Sequence, residues 1–314
     1  MSSLRCLFVL VFALSFAMSM VPACETLGNP VGTPRCPTFL AGVEQGRIAS
    51  NQIREASGIA ASHRNPGVYY LHNDSGDSAR IFAIDERGKD LGTYHLKGAV
   101  ALDWEDIAVG PAQGLPGTFI YVADMGDNDH RRKWVVVYRV PEPEIFSGRA
   151  GTQIVLPGVV ALRMQYPDGV AHNAEALLID PQTADLYIVT KERRKPATVF
   201  RYAAPHRPDE LAMLEEVASL RLGSPLLPAS EIVTGGDISV GRNQILLRTY
   251  ALVYLWQRKA GQSIAQAISQ TPCMARQRRE PQGEAIAWRL DGSGYVTVSE
   301  KSHQPIYLFA RPPF

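Results

Sequence analysis

Ser57-Gly58-Ile59-Ala60, Glu105-Asp106-Ile107-Ala108, Glu175-Ala176-Leu177-Leu178, Gly236-Asp237-Ile238-Ser239 and Glu284-Ala285-Ile286-Ala287 are five versions of one phrase. Counted from Ile59, their apolar anchors fall 48, 70, 61 and 48 residues apart. After each phrase come a turn and a second apolar run, at 68–72, 119–124, 186–191, 245–249 and 295–300. A third run follows at 80–85, 135–140, 198–202, 252–257 and 306–309. Most units add a fourth, such as 92–96 or 216–220. Short runs rich in Val, Ile, Leu and Tyr, separated by Gly, Pro, Asp and Asn, are strand and turn chemistry. Helical periodicity is scarce, and residues 209–218 are its one candidate.

Repeats of this size, each a four-stranded meander, predict an all-β fold of the β-propeller type. One blade cannot bury both faces of its sheet, so neighbours stack in a ring. Five blades are expected, while the 70- and 61-residue gaps leave room for a sixth. The last unit shows only three clear strands before Phe314, and residues 38–50 precede the first repeat. An N-terminal strand from that stretch would complete the last blade, join the chain ends and leave no open edge.

Residues 1–23 read as a secretory signal: Arg5, an apolar run from Leu7 to Met20, then Val21-Pro22-Ala23-Cys24. Residues 24–37 read as a tether and 38–314 as a single propeller domain. The destination is outside the cytoplasm: periplasmic, secreted, or an outer-membrane lipoprotein if Cys24 is lipidated. Pro22 departs from the small or hydroxyl residue usual in a lipoprotein box. If Cys24 carries lipid, Cys36 and Cys273 form an even pair in an oxidising compartment. If it does not, Cys24–Cys36 competes. The first pairing is favoured because a leftover thiol is uncommon in exported proteins.

Propeller geometry brings the start of each first strand and the end of each second strand to one mouth of the central channel. The first-strand starts align as Ser57, Glu105, Glu175, Gly236 and Glu284, then Gly58, Asp106, Ala176, Asp237 and Ala285. The second-strand ends read 72–77, 124–128, 191–193, 248–250 and 300–301, again rich in acids and amides. Turn chemistry accounts for Asp74-Ser75-Gly76-Asp77 as well as ligation does. It accounts poorly for Glu105, Glu175 and Glu284, since Glu is not a turn former and is depleted in strands. Crowded carboxylates must protonate, pair or bind metal. An all-oxygen donor set suits Ca²⁺. Expected metal ligands are Glu105, Glu175, Glu284 and Asp237, with Asp124 and Asn128 outside them. Lys191, Arg193, Arg248 and Lys301 are the candidates for holding an anion. Glu105, Asp106 and His72 are the candidate catalytic groups, and His172 and His303 lie near the same mouth. Trp104, Trp134 and Trp256 are candidate contact residues if exposed.

The chain carries 32 Lys+Arg against 31 Asp+Glu, and removing residues 1–23 takes away Arg5 alone, leaving 31 of each sign. That balance excludes a basic nucleic-acid binder and an acidic disordered tail. There is no Gly-x-Ser-x-Gly, His-Glu-x-x-His, P-loop, Gly-x-Gly-x-x-Gly or Cys-x-x-Cys. The stretch Asp103-Trp104-Glu105-Asp106-Ile107-Ala108, with 121–128 and 138–143, resembles a family of exported bacterial propellers. More distantly the chain resembles the β-propeller phytases and the calcium-dependent lactonase and esterase propellers, which hold Ca²⁺ in rings of Glu, Asp and Asn. That likeness is architectural and transfers no catalytic motif. Two functions are expected from different classes. One is a calcium-dependent hydrolase of phosphate or carboxylate esters acting on an anionic small molecule. The other is a non-enzymatic envelope propeller that binds a glycan, peptide or protein, with calcium at most structural. In both, the chain is a monomer that meets a membrane only through a lipid anchor.

Overall fold

The computed structural model describes residues 34–313 except Pro225 and Arg242; the expected signal segment and Cys24 lie outside the described residues. Strand β1 (Val43–Arg47) precedes five sheets. Blade I holds β2 (Ala56–Ala61), β3 (Val68–Asn73), β4 (Arg80–Asp85) and β5 (Asp90–Leu96). Blade II starts with β6 (Trp104–Ala112), β7 (Leu115–Asp124) and β8 (Val135–Pro141). The chain then forms β9 (Gln153–Leu156) and returns as β10 (Val160–Gln165). Blade III holds β11 (Ala174–Ile179), β12 (Leu186–Thr190), β13 (Ala197–Tyr202) and, after a short β14 (Leu211–Met213), β15 (Glu215–Leu220). Blade IV holds β16 (Val233–Ile238), β17 (Gln244–Thr249), β18 (Val253–Gln257), a helical turn α1 (Ile264–Ile268) and β19 (Cys273–Ala275). Blade V holds β20 (Gly283–Trp288), β21 (Gly294–Ser299) and β22 (Pro305–Ala310), with β1 as its outer strand.

The fold is therefore a five-bladed β-propeller of mostly four-stranded sheets. The two long gaps hold extra edge strands instead of a sixth blade. β9 runs back to pair in parallel with β5 of blade I, and β14 runs back to pair in parallel with β10 of blade II. Each of these blades thus gains a fifth strand from a later connection, which shields its outer edge. The helix expected at 209–218 is absent: that stretch forms β14 and β15. Open edges on β10 and β13 offer it backbone partners, and such pairing overrides a weak helical preference.

Side-chain alternation along each strand sends successive residues to opposite faces, so each blade feeds two interfaces. In blade I, Tyr70 packs with Trp104 and Ile107 of blade II, while Tyr69 and Leu71 pack with Val296 and Val298 of blade V. The buried apolar residues fall into five clusters, one at each junction between adjoining blades. The ring closes at blade V, where β1 pairs antiparallel with β22. Beside that seam Cys36 is disulfide-bonded to Cys273 of blade IV, 237 residues away in sequence. Tyr295 stacks on Phe309 and takes Phe39 edge-on, both at 4.9 Å. Such aromatic pairs add about 0.5–1.5 kcal/mol beyond their burial.

Candidate metal centre at the channel mouth

All five blades share one irregularity. Between first and second strand the register slips by one residue at Ser57, Glu105, Glu175, Thr234 and Glu284. A bulge of this kind re-aims the extra side chain, and here it does so five times around one mouth. The second strands deliver the residues just past their last pairs: Asp74, Met125, Lys191, Tyr250 and Glu300. Two residues before each bulge stand Glu55, Asp103, Asn173, Ile232 and Gln282. In blades I, II, III and V the carbonyls of these residues accept the amides of Asp74, Met125, Lys191 and Glu300. Backbone bonds therefore fix the outer ring against the inner one.

The hydroxyl bulges are occupied structurally. Ser57 Oγ donates to the Glu105 carbonyl at 2.7 Å, and Thr234 Oγ1 donates to the Gly283 carbonyl at 3.3 Å. The carboxylate bulges are not equally settled. Tyr250 donates to Glu284 Oε1 at 2.8 Å, and Lys191 pairs with Glu175 Oε1. Glu175 Oε2 is buried with no partner. Glu105 is only 3% exposed, and its carboxylate makes no hydrogen bond among the described residues. Oxygens of Asp74, Asp103 and Glu105 all lie within 4.8 Å of one another. Gly126 leaves room for them: a Cβ there would stand 2.1 Å from Glu105 Oε1 and 2.5 Å from Asp103 Oδ2.

Six carboxylates (Asp74, Asp103, Glu105, Glu175, Glu284 and Glu300) thus share the mouth with Lys191. Burial, then the neighbouring acids, raise Asp74 to about 6 against the pull of the Ser75 amide. Burial raises Glu175 to about 8 although Lys191 opposes it, and burial with Glu284 raises Glu300 to about 8. Burial pushes Glu105 well up, with Glu175, Asp74 and Asp103 adding to it. Asp103 moves up for the same first reason, opposed by Arg132. For Lys191, burial alone would lower the pKa, and the Glu175 carboxylate outweighs it. The group as a whole resists carrying its full negative charge, which is the condition a divalent cation relieves. Ca²⁺–oxygen bonds of about 2.4 Å allow two ligands to stand up to about 4.8 Å apart, so the Asp74, Asp103 and Glu105 spacing is compatible with one ion.

The expected residues fall into three places. Glu105, Glu175 and Glu284 gather at the mouth, with Lys191. Asp106 and Asp237 lie inside the channel. Asp106 accepts from Ile107 N and Leu177 N at 2.8 Å each and from Gly236 N at 3.3 Å, stitching blades II, III and IV together. Asp237 accepts from Ile238 N at 2.8 Å and Trp288 N at 2.7 Å, which joins blades IV and V. The others are engaged elsewhere or stand at the rim. Asp124 pairs with Arg132 at 2.6 Å and accepts the amides of Leu102 and Asp103. Asn128 is exposed and accepts from Asn173 Nδ2 at 3.1 Å. His72 is wholly buried, donates from Nδ1 to the Asn73 carbonyl, and is held neutral by burial with a pKa of about 4. Arg248 is wholly buried, pairs with Glu280 and donates to the carbonyls of Ala285 and Val298. Arg193 and Lys301 are exposed. His172 pairs with Asp168 at 2.8 Å, and His303 bonds to the Ile48 carbonyl at 3.0 Å. Trp104 and Trp256 are core, while Trp134 is 48% exposed.

Asp103 is the mouth residue the repeats do not reveal, because it precedes its strand and the other blades carry Glu, Asn, Ile and Gln there. In blade IV the aligned bulge is Thr234, two positions before the expected Gly236.

No protein-family model matches the sequence, and no curated protein does. Among solved structures the chain is similar to one reported as "Crystal structure of Nidogen/Laminin Complex", with a TM-score of 0.43 at 12% identity, covering 79% of this chain and 73% of that one.

Proposed function

We propose that the mouth binds a divalent cation, Ca²⁺ by its donor set, and that the propeller uses the ion to hold an anionic ligand as an exported binding module. One observation carries this reading. Glu105 and Glu175 are buried carboxylates facing each other's charge, and between them they have one protein donor, Lys191. Leaving a buried charge uncompensated costs several kcal/mol. The ion would sit with Glu105, Asp103 and Asp74, and Glu175 would approach from the next blade. Binding is favoured over ester hydrolysis because two groups the hydrolytic reading relies on, His72 and Arg248, are wholly buried.

The test is calorimetric titration of the full chain with Ca²⁺, beside assays on phosphate and carboxylate esters. Saturable binding that weakens at least tenfold in Glu105→Gln, with no turnover, supports the proposal. Absence of binding removes it, and calcium-dependent turnover returns the hydrolase.

A further inference from the structure

Two clefts meet on the rim of blade III. The inner one, about 380 Å³, starts at Lys191 beside the mouth and runs past His130 to Arg193 and Lys195. The outer one, about 490 Å³, shares Arg193 and Lys195 and continues to Arg194, Arg221 and Ser224, with Glu231 as its one acid. Arg193, Arg194, Lys195 and Arg221 are all exposed, and none makes an ion pair among the described residues. Arg80, Arg132, Arg201 and Arg289 pair with acids, while Arg87, Arg163 and Arg279 stand singly without one among the described residues, so what marks the rim of blade III is four such cations around one cleft.

Hydrogen bonds tie down backbone on both sides of the outer cleft. Thr190 Oγ1 accepts the Thr198 amide at 2.9 Å across the base of the loop that carries Arg193 to Lys195. Opposite, the Gly223 amide donates to Tyr254 OH and the Ser224 amide to Ser230 Oγ, each at 2.8 Å. Four cations against one carboxylate leave three uncompensated charges around a cleft with room for more than a small ion. Guanidinium forks match the paired oxygens of a phosphoryl group, and a dianion offsets this charge better than a monoanion. Leu222, Pro196 and Pro228 line the same cleft and give an apolar body something to lie on.

We propose that this outer cleft is a binding site for a phosphate monoester, with Arg193, Arg194, Lys195 and Arg221 around the phosphoryl oxygens. The site stands on its own residues and does not depend on a cation at the mouth. The test is titration of the full chain with phenyl phosphate, in chelator and at low salt. Wild type binds saturably, phenyl sulfate and inorganic phosphate each bind at least tenfold more weakly, and added salt weakens binding. Arg193→Ala combined with Arg221→Ala loses at least tenfold in affinity, while Lys301→Ala binds like wild type. Three results would overturn the proposal: no saturable binding, equal affinity for phenyl sulfate or inorganic phosphate, or wild-type affinity in the double variant. A failure of calcium binding at the mouth alone leaves the cleft untouched.

Discussion

Glu105 and Asp106 are adjacent on one strand, both buried, and chemically opposed. Asp106 points into the channel, where three backbone amides from three blades close on its two oxygens. Glu105 is the bulged residue, turned to the mouth, where no hydrogen bond reaches it among the described residues. The contrast extends to their surroundings. In the channel, Asp237 also spends both oxygens on amides, while at the mouth Glu175 keeps one oxygen bare. Buried acids in a propeller thus separate into rivets between blades and groups free for a ligand. Between neighbours Glu105 and Asp106, the one-residue bulge decides which each becomes.

The largest effect should come from removing a rivet. Asp106→Ala leaves buried amides of three blades without acceptors, at about 1–3 kcal/mol each. A loss of about 4 kcal/mol or more is expected in urea unfolding; a loss under about 1 kcal/mol would erase the distinction drawn between the two carboxylates. Arg248→Met comes next. It strands Glu280 in the core, for an expected loss of about 3–5 kcal/mol, most of it recovered when Glu280→Leu is added. A double variant no more stable than the single one would show that the pair is not the unit that matters.

Mouth variants should behave the other way. Glu105→Gln is expected to stay within about 1 kcal/mol of wild type in chelator, since a carboxyl that burial and the neighbouring acids keep protonated gives way to a neutral amide of the same shape. Wild type should gain about 2.7 kcal/mol at calcium a hundredfold above its Kd, and the variant should not. Thermal melts with and without calcium read both.

The smallest effect is the dependence on pH without metal. Folded Asp74 (about 6), Glu175 (about 8) and Glu300 (about 8) keep protons that the unfolded chain releases near 4. Asp237 in the channel, at about 7, does the same, while buried His72 and His206, each at about 4, act the opposite way below about 6.5, so the fall in stability with rising pH is clearest from about 6.5 to about 8. Lys191 faces Glu175 and stays charged throughout. A slope between pH 6.5 and 8 that Glu175→Gln leaves unchanged would contradict the crowding described at the mouth. Calcium should flatten the slope by stabilising the ionised carboxylates.

Much of this comparison is visible in the sequence, and the failures have physical causes. The five phrases locate the inner strands, the lone N-terminal strand closes the ring, and Glu105, Glu175 and Glu284 stand out because Glu has no business at a strand start. Blade IV is different. Sliding it by two residues keeps every side chain on its own face, so the apolar pattern cannot distinguish Gly236 from Thr234. Only the pairing register does. The same slip sets Asp237 level with Ala108 instead of Asp106, two residues further along the face that carries both channel acids. His72 and Arg248 mislead for a related reason: a strand end near a mouth does not say which way its side chain points. Arg248 points into blade V.

The most direct test is anomalous diffraction from a crystal soaked in calcium. The account predicts a peak at the mouth, about 2.3–2.6 Å from oxygens of Glu105, Asp103 and Asp74. Their carboxylates standing without an ion in saturating calcium, or a peak that appears only elsewhere on the disc, would contradict it.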